Sequence, residues 1–171
     1  AMVIADELDA DWRQVRVKQG PAAKEYHNPL LGEQLTVASA AVRGFYDPCR
    51  KAGAAGRAML VKTAAASWGV PETECETNKG TVTHKKSSRK STYGQLCLAA
   101  AKMEIPKEPA LKKEGDFRYI GKSTARVDIP AKVKGTAVYG LDVSVPGMHY
   151  AVLARPPAYG AKPVSSNEKA A

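Results

Sequence analysis

One helical pattern constrains the fold of this chain more than any other feature of its sequence. Across residues 37–68 the apolar residues recur at helical spacing, and the pattern ends at Gly69 with Pro71 just beyond it. Small residues in its second half let a neighbouring element pack closely, and the run Met59–Val61 is expected to fill a core. The sequence therefore predicts one long helix packed against a core.

The beginning of this helix carries two unusual features. A turn with hydroxyl groups, Thr36 to Ser39, opens the helix, and Pro48 interrupts it a few turns later. Proline lacks the amide donor that a helix uses at each position, so we expect a kink or a division into two helices. In the second case Asp47 is the N-cap of the second helix.

The N-terminal third is predicted to hold a short helix, a strand and a loop. Residues 1–10 are typical of the end of a helix, whereas residues 12–20 alternate apolar and polar side chains as a half-buried strand does. Residues 20–33 are rich in Gly, Pro and Asn and indicate a loop. The apolar face of the helix consists of Ala1, Ile4, Ala5 and Leu8, and that of the strand of Trp12, Val15 and Val17.

The region after the long helix predicts a hairpin and a second helix. The hairpin turns at Asn78-Lys79-Gly80, and the helix begins after Ser91 or Thr92, either of which could be its N-cap. Residues 104–116 are rich in Pro and Lys and indicate a surface linker. Beyond them lie short predicted strands, at residues 119–120, 136–145 and 148–157, that cannot close a sheet alone. We therefore expect an α+β piece, then the start of a β-rich piece, in a fragment of a longer protein.

The positive charge of the chain leaves several classes of partner open. The formal net charge is +9 and the pI about 9.5, but the basic residues are scattered and form one cluster, His84–Lys90, where a solvated hairpin tip is expected. Aromatic residues are too sparse to act as stacking platforms for nucleic acid. Anionic ligands, lipids or an acidic partner protein fit the charge equally well. No apolar run is long enough to cross a bilayer, and the N-terminus does not resemble a secretory signal.

The familiar catalytic and metal-binding patterns are missing from the sequence. There is no P-loop, GxGxxG or GxSxG motif, and the histidines at 27, 84 and 149 are interpreted as surface or strand residues with no nucleophile beside them. Four acidic residues near the N-terminus are interpreted as a solvated helix end: Asp6, Glu7, Asp9 and Asp11. We therefore predict no catalytic residue and no metal ligand.

The cysteines do not suggest a metal site or a disulfide framework. Cys49, Cys75 and Cys97 are odd in number and widely spaced, without a CxxC pair. Cys49 and Cys97 fall within helical patterns and are expected to be buried as small hydrophobic residues.

The turn at residues 34–41 is the one candidate binding feature. The N-terminus of a helix offers unpaired amides and the positive end of its dipole, which suit a phosphate group. Thr36 and Ser39 could add hydroxyl donors, and the alanines at 38, 40 and 41 would let a large ligand approach. The alternative is an ordinary N-cap followed by a buried helix of small residues.

Several stretches, taken together and in order, resemble a known family. They include "IADELDADWRQVRV", "RKAGAAGRAMLVKTAAASWGVP", "ECETNKGTVTH", "STYGQL" and "FRYIGKSTARVDIPAKVKGTAVYGLDVSVPGMHYAVLARPP". The chain is similar in them to the molybdopterin-binding large subunit of molybdenum hydroxylases of the xanthine dehydrogenase and aldehyde oxidase family. The resemblance points to the branch of isoquinoline 1-oxidoreductase beta subunits and membrane-associated bacterial aldehyde dehydrogenases.

The resemblance implies a domain layout and a cofactor site. Residues 1–103 would be part of a molybdopterin-binding domain, residues 104–116 a linker, and residues 117–171 the incomplete beginning of an α/β-hammerhead domain. In the family, a turn of the type Gly-Gln-Gly-Thr-Gly-Gly-Ser-Thr-Ser-Val-Arg contacts the cofactor before this helix. The implied cofactor-binding residues are Gln34, Thr36, Val37, Ala38, Ser39, Ala40, Ala41 and Arg43.

This turn departs from the family pattern at several positions. Matching residue types stand at Gln34, Thr36, Ser39, Val42 and Arg43. The positions that differ are Leu35, Val37, Ala38, Ala40 and Ala41. The loss of glycine removes close backbone approach and the freedom to adopt positive φ. The cofactor is then either held differently in this chain or held poorly.

The implied activity is the hydroxylation of an aldehyde or an N-heteroaromatic ring with oxygen from water. The resemblance implies molybdopterin with molybdenum, as the cytosine dinucleotide, and [2Fe–2S] clusters on a small partner subunit, with electrons passing on to a cytochrome c subunit. It also implies the remainder of the large subunit as a partner, a periplasmic location, membrane association through partners, and no role for nucleic acid. The alternatives are a non-catalytic scaffold subunit, favoured by the missing glycines, and a nucleic-acid-binding module, which rests on charge alone and would show steep salt dependence.

Overall fold

The structure, a computed structural model, describes residues 1–167 and 169. It divides into two units, Ala1–Pro130 and Ala131–Ala171, each with its own internal contacts. The helices and strands, in chain order, are α1 (Met2–Glu7), α2 (Ala40–Trp68), β1 (Cys75–Asn78), β2 (Thr81–His84), β3 (Lys90–Thr92), α3 (Tyr93–Ala100) and α4 (Ile129–Val133). Single 3-10 turns occur at Trp12–Gln14, Lys24–Tyr26, Glu72–Glu74, Glu114–Asp116 and Gly140–Asp142.

The long helix predicted from the sequence is confirmed as α2. It ends at Gly69, whose φ of 65° is the left-handed conformation that glycine adopts readily at the end of a helix. Pro48 lies inside α2 and does not divide it, so the predicted division and the N-cap at Asp47 are wrong. Packing of α1 against α2 at Arg50 and Gly53, just after the proline, supports the continuous helix and offsets the loss of one backbone hydrogen bond.

The three strands form an antiparallel sheet in the order β1-β2-β3. The first hairpin pairs Asn78 with Thr81 and turns through Lys79 and Gly80, whose φ angles are 45° and 76°. Two central residues with positive φ give a turn whose twist matches that of the strands. The predicted hairpin and its turn are therefore confirmed.

The core of the first unit lies where α2, the sheet and α3 meet. Its buried members are Leu60, Ala64, Val82, Leu96 and Ala100. The helix α3 begins with a capping box, in which the Thr92 hydroxyl accepts from the Gln95 amide and the Gln95 side chain accepts from the Thr92 amide. The predicted second helix is thus confirmed, with Thr92 as its N-cap.

The short helix α1 packs against α2 where the longer helix carries glycine. A Cβ at Gly53 would lie 2.7 Å from the carbonyl oxygen of Ile4, so only glycine allows the two backbones to come this close. The Tyr93 hydroxyl donates a 2.7 Å hydrogen bond to the carbonyl oxygen of Leu8 and joins the end of α1 to α3. Burial raises the pKa of that hydroxyl, so it remains a donor. The prediction of a helix within residues 1–10 is confirmed.

The strand predicted at residues 12–20 is not present. Trp12–Gln14 forms a 3-10 turn capped by the Asp11 side chain, and Val17 is 58% exposed. The indole N–H of Trp12 donates to the carbonyl oxygen of Ala125 at 2.8 Å. The alternating pattern is misleading because this segment has no strand beside it to complete a hydrogen-bonded ladder.

The strands predicted between residues 119 and 157 are also absent from the structure as described. A 3-10 turn, Gly140–Asp142, interrupts the longest of them, and apolar side chains such as those of Leu141 and Val152 are fully or almost fully exposed. A strand needs a neighbouring strand to satisfy its amides, and residues 131–167 supply none.

The cysteines are only partly as expected. All three are free thiols, as predicted, but Cys97 is exposed on α3 and Cys49 is half-buried, so the expected burial is wrong for Cys97. The apolar pattern of a short helix did not show which of its sides meets the core. Within the described part of the chain, none of the helices has the length and apolar character needed to span a bilayer.

Candidate functional site

An open cleft of about 970 Å³ lies in front of the N-terminus of α2. One wall is the loop before the helix and the other is the segment around residues 19–27. The side chains of most chemical interest along it are those of Lys24, Tyr26, His27, Gln34, Thr36 and Phe45. The cleft therefore combines a cation, the carboxylate of Glu33, hydroxyl and amide groups, and two aromatic faces at the start of a 29-residue helix.

Three of the eight predicted cofactor-binding residues line this cleft: Gln34, Thr36 and Ala41. Ala40 is buried, and the remaining four are exposed without lining the cleft: Val37, Ala38, Ser39 and Arg43. The structure thus divides the predicted residues among three environments, and their binding of a cofactor stays a prediction.

Gln34 holds the two walls of the cleft together. Its Oε1 accepts from the backbone N–H of Ala23 at 3.1 Å, and its Nε2 donates to the carbonyl oxygen of Pro21 at 3.0 Å. Both ends of the amide are therefore used within the loop. Thr36 is exposed, and no hydrogen bond to its hydroxyl is made by the described residues.

The backbone of the turn adopts a conformation that its residues do not favour. Ala38 and Ser39 have φ angles of 50° and 52°, in the left-handed region that costs a residue with a Cβ about 1–2 kcal/mol. Ser39 stands at the N-cap position, but its hydroxyl caps no amide. The Ala40 amide donates instead to the carbonyl oxygen of Val37 at 2.9 Å. This is not an ordinary N-cap, and the first turn of α2 lacks side-chain partners for its amides.

Asn28 fixes this loop to α2, and no sequence signal beyond the Asn-Pro turn singled it out. Its side chain is 1% exposed. Nδ2 donates to the carbonyl oxygen of Ala40 at 2.9 Å, and Oδ1 accepts from the amide of Leu30 at 2.9 Å. Gly44 provides the space, because a Cβ there would lie 2.2 Å from the Asn28 Oδ1 atom.

A second cluster is made of buried charges, and it corrects the interpretation of the N-terminal acidic residues. Asp6 and Glu7 are completely buried and Asp9 is 5% exposed, so these three are not a solvated helix end. Asp6 accepts backbone N–H groups from Arg118 at 3.0 Å, Tyr119 at 3.0 Å and Ile120 at 2.8 Å. Burial alone would raise the pKa of Asp6, but these hydrogen bonds and that of Lys112 hold the pKa below its usual value.

The partners of this cluster come from distant parts of the first unit. Glu7 binds Arg50 at 2.7 Å, and Asp9 binds Lys112 at 2.7 Å. Lys112 lies in the predicted surface linker, but its side chain is only 8% exposed, so the surface assignment is wrong at this residue. The carboxylates attach residues 110–120, which we call the strap, to α1. Asp11 stays outside the cluster in an exposed pair with Arg13, whose hydrogen bonds lower the pKa of Asp11 to about 2.

The histidines also differ from expectation at one position. His84, at the end of β2, is 5% exposed and contacts both a carboxylate, Glu74, and a hydroxyl, Ser87, so it is not a surface residue. Among the described residues, no three His, Cys, Asp or Glu side chains are grouped closely enough to hold a metal ion.

Comparison with known proteins identifies relatives along nearly the whole chain. It is 40% identical over 206 aligned residues to the beta subunit of isoquinoline 1-oxidoreductase of Brevundimonas diminuta, covering 98% of this chain and 26% of the relative. It is 34% identical over 170 residues to membrane-bound aldehyde dehydrogenase [pyrroloquinoline-quinone] of Gluconacetobacter polyoxogenes, covering 95% and 21%. It is 32% identical over 160 residues to the B subunit of nicotinate dehydrogenase of Pseudomonas putida, covering 94% and 13%. No family model matches the chain.

Proposed function

The chain is homologous to one segment of these oxidoreductase subunits, as its sequence predicted, and on this premise we propose that it is part of the large subunit of a molybdenum hydroxylase. It spans between 13% and 26% of the length of the relatives. The activity, substrates and partners of the whole protein are therefore part of the proposal. The observation that carries it is the similarity over 94–98% of the chain to three oxidoreductases.

We assign residues 1–103 to a molybdopterin-binding domain and residues from 117 to an α/β-hammerhead domain. The helices and three-stranded sheet of the first unit are compatible with an α+β domain. The exposed apolar side chains of residues 131–167 support the second assignment, because a sheet completed by further chain would cover them. The first unit extends to Pro130, beyond the predicted linker, because the strap packs on α1.

The cleft in front of α2 fits the phosphate-bearing end of a pterin dinucleotide. Its volume of about 970 Å³ admits a large ligand, and the first turn of α2 has no side-chain cap. Lys24 supplies a positive charge, which the Glu33 carboxylate in the same lining partly offsets. Thr36 supplies a hydroxyl without a protein partner among the described residues, and Tyr26 and Phe45 supply apolar ring faces. The departure from the family pattern at Val37 and Ala38 limits how closely the backbone itself can approach.

Three residues of the cleft and the amides of α2 have distinct roles in this proposal. Thr36 and the amides of the first turn of α2, other than that of Ala40, bind phosphate oxygens. Lys24 neutralises their charge, and Gln34 keeps the two walls at the correct separation. When bound, molybdopterin supplies the metal centre for hydroxylating an aldehyde or N-heteroaromatic carbon with oxygen from water. This chain positions that centre, and we assign none of its residues to the chemical step.

The proposed assembly contains the remainder of the large subunit, a small [2Fe–2S] subunit and a cytochrome c subunit. Two relatives are named as beta and B subunits, which supports a multi-subunit enzyme. The name of a third includes "membrane-bound", which supports membrane association through partners. We propose a periplasmic location and the cytosine dinucleotide form of the cofactor, and both proposals rest on the resemblance to the molybdenum hydroxylase family.

A different cofactor is a specific competitor, because the name of one relative includes pyrroloquinoline quinone. A non-catalytic scaffold is the other alternative, supported by the strained, glycine-poor turn at residues 36–39. These three possibilities predict different contents of the purified protein: a pterin with molybdenum, a quinone, or neither.

The cleft is tested by measuring the pterin and molybdenum that copurify with the intact enzyme containing this chain. We expect Thr36→Val to reduce the bound pterin at least several-fold, since the exposed Thr36 hydroxyl would lose its phosphate partner. Thr136→Val is the matched control, because Thr136 is exposed in the second unit. Equal pterin content in wild type, Thr36→Val and Thr136→Val would contradict this placement, and quinone in place of pterin would support the competing cofactor.

A further inference from the structure

A buried histidine at the tip of the second hairpin connects a carboxylate to an exposed serine hydroxyl. His84 is the last residue of β2, and residues 85–89 form the loop that leads into β3. The His84 Nε2 atom lies 2.9 Å from the Glu74 Oε2 atom, and Nδ1 lies 2.7 Å from the Ser87 Oγ atom. The imidazole is 5% exposed, whereas Ser87 is exposed to solvent.

The charge on Glu74 determines which nitrogen of the His84 ring carries the hydrogen. Hydrogen bonds from His84 and Lys86 hold the pKa of Glu74 below its usual value, so the carboxylate is ionised at neutral pH and can only accept. The His84 Nε2 atom must therefore carry the hydrogen. In the neutral ring Nδ1 is then an acceptor, and the Ser87 hydroxyl donates to it. Nucleophile, base and orienting carboxylate stand in the order that activates a serine.

We propose that Ser87 is an activated nucleophile and that this hairpin tip is a site of acyl transfer from small activated esters, preferentially anionic ones. Charge supports the preference, because the tip is basic and its cations are exposed. Lys85 and Lys86 have side chains that are 57% and 73% exposed although they pair with Glu76 and Glu74, and Lys90 is also exposed. Such a surface raises the local concentration of anions. The proposal is independent of the molybdenum chemistry and of the cleft in front of α2.

The proposed reaction needs only ester and water. Ser87 Oγ attacks the carbonyl carbon, a new C–O bond forms, and the hydroxyl proton passes to His84 Nδ1. The bond between the carbonyl carbon and the leaving oxygen breaks, and the leaving alkoxide or phenoxide takes that proton. Water then attacks the acyl-serine and gives its proton to His84, which returns it to Ser87 as the carboxylic acid departs. Glu74 acts as a positioning residue that fixes the tautomer of the ring.

The test uses the full chain with a covalent label, two ester substrates and a neighbouring serine as control. An alkyl fluorophosphonate traps an activated serine covalently, and 4-nitrophenyl acetate with its hemisuccinate analogue reports acyl transfer. The labelled residue is identified by peptide mass spectrometry in wild type, Ser87→Ala and Ser88→Ala. Ser88 is exposed and is not bonded to His84, so Ser88→Ala controls for general reactivity of the loop.

We expect Ser87 to carry the label and Ser87→Ala to abolish it, with Ser88→Ala unchanged within about twofold. His84→Gln should slow labelling about a hundredfold or more, the usual contribution of a general base. Because His84 is buried, Glu74→Gln is the second variant: it preserves volume and should slow labelling at least about tenfold while the chain remains folded, as its urea unfolding curve will verify. No label on wild type, equal label on Ser87 and Ser88, acylation of lysines alone, or undiminished labelling in Glu74→Gln would each overturn the proposal.

Discussion

Asp6→Asn is expected to destabilise the first unit by about 3–5 kcal/mol, the usual cost of removing one partner from a buried ionic pair. The Asp6 carboxylate is completely buried. One oxygen accepts the amides of Tyr119 and Ile120 at 3.0 and 2.8 Å, and the other accepts the amide of Arg118 at 3.0 Å and lies 3.3 Å from Lys112 Nζ. The side chain thus anchors the strap to α1 through both oxygens.

The magnitude follows from the number of donors that asparagine leaves without an acceptor. In either orientation of the amide, its NH2 group faces two protein donors that previously bonded to an oxygen. Hydrogen bonds to a charged group contribute about 1.5–3 kcal/mol each, so two of them account for about 3–6 kcal/mol. Domains of this size are usually stable by only about 5–15 kcal/mol, so the variant should be close to unfolding.

Urea unfolding followed by the far-UV helix signal measures this difference. We expect a lower midpoint for Asp6→Asn with an unchanged m-value. Asp116→Asn is the control, because Asp116 lies in the same strap segment but is exposed, and it should leave the midpoint in place. A loss below about 1 kcal/mol in Asp6→Asn would refute the idea that this carboxylate anchors the strap.

Further predictions concern pH, helix packing and the strained turn. The folded pKa of Asp6 is held below its unfolded value, so the stabilisation that Asp6 provides is complete above about pH 4 and is lost as pH falls through the folded pKa. Urea midpoints measured from pH 7 to pH 2 should therefore fall less steeply in Asp6→Asn than in wild type. Parallel pH dependences of the two midpoints would argue against this. Gly53→Ala places a Cβ 2.7 Å from the Ile4 carbonyl oxygen and should lower the stability by about 1–3 kcal/mol. In the control Gly56→Ala the new Cβ meets only a side-chain methyl at 3.3 Å, so the change should be neutral or stabilising. Equal thermal midpoints for the two variants would show that α1 does not pack this closely. Ala38→Gly should raise stability by up to about 1 kcal/mol, because its φ of 50° favours glycine, and a decrease in the urea midpoint would contradict the strained turn.

The parts of the fold that the sequence predicted are those specified by local signals. The helix α2 has apolar periodicity along its length and a glycine stop, and α3 carries the Thr92–Gln95 capping box within four residues. The Lys79–Gly80 turn likewise needs only its own two residues to adopt positive φ. Each of these elements is decided by residues close together in sequence.

The parts that the sequence missed depend on distant partners. Asp6 meets Arg118 at a separation of 112 residues, and no nearby residue marks it as buried. The strands predicted at residues 12–20 and between residues 119 and 157 are absent for a related reason. Alternating apolar and polar residues form a strand only where another strand lies beside them. The binding role of the candidate turn stays a prediction. Neither the hydrogen bonds of Gln34 within the loop nor the role of Asn28 could be inferred without the fold.

The central claim is most directly tested by the molybdenum and iron content of the intact enzyme containing this chain, measured together with the sizes of the copurifying subunits. Membership of a molybdenum hydroxylase large subunit predicts about one molybdenum per copy of the chain, a bound pterin, and iron carried by a small partner subunit. An enzyme without molybdenum or pterin would contradict the account, whether it contains a quinone instead or no redox cofactor at all.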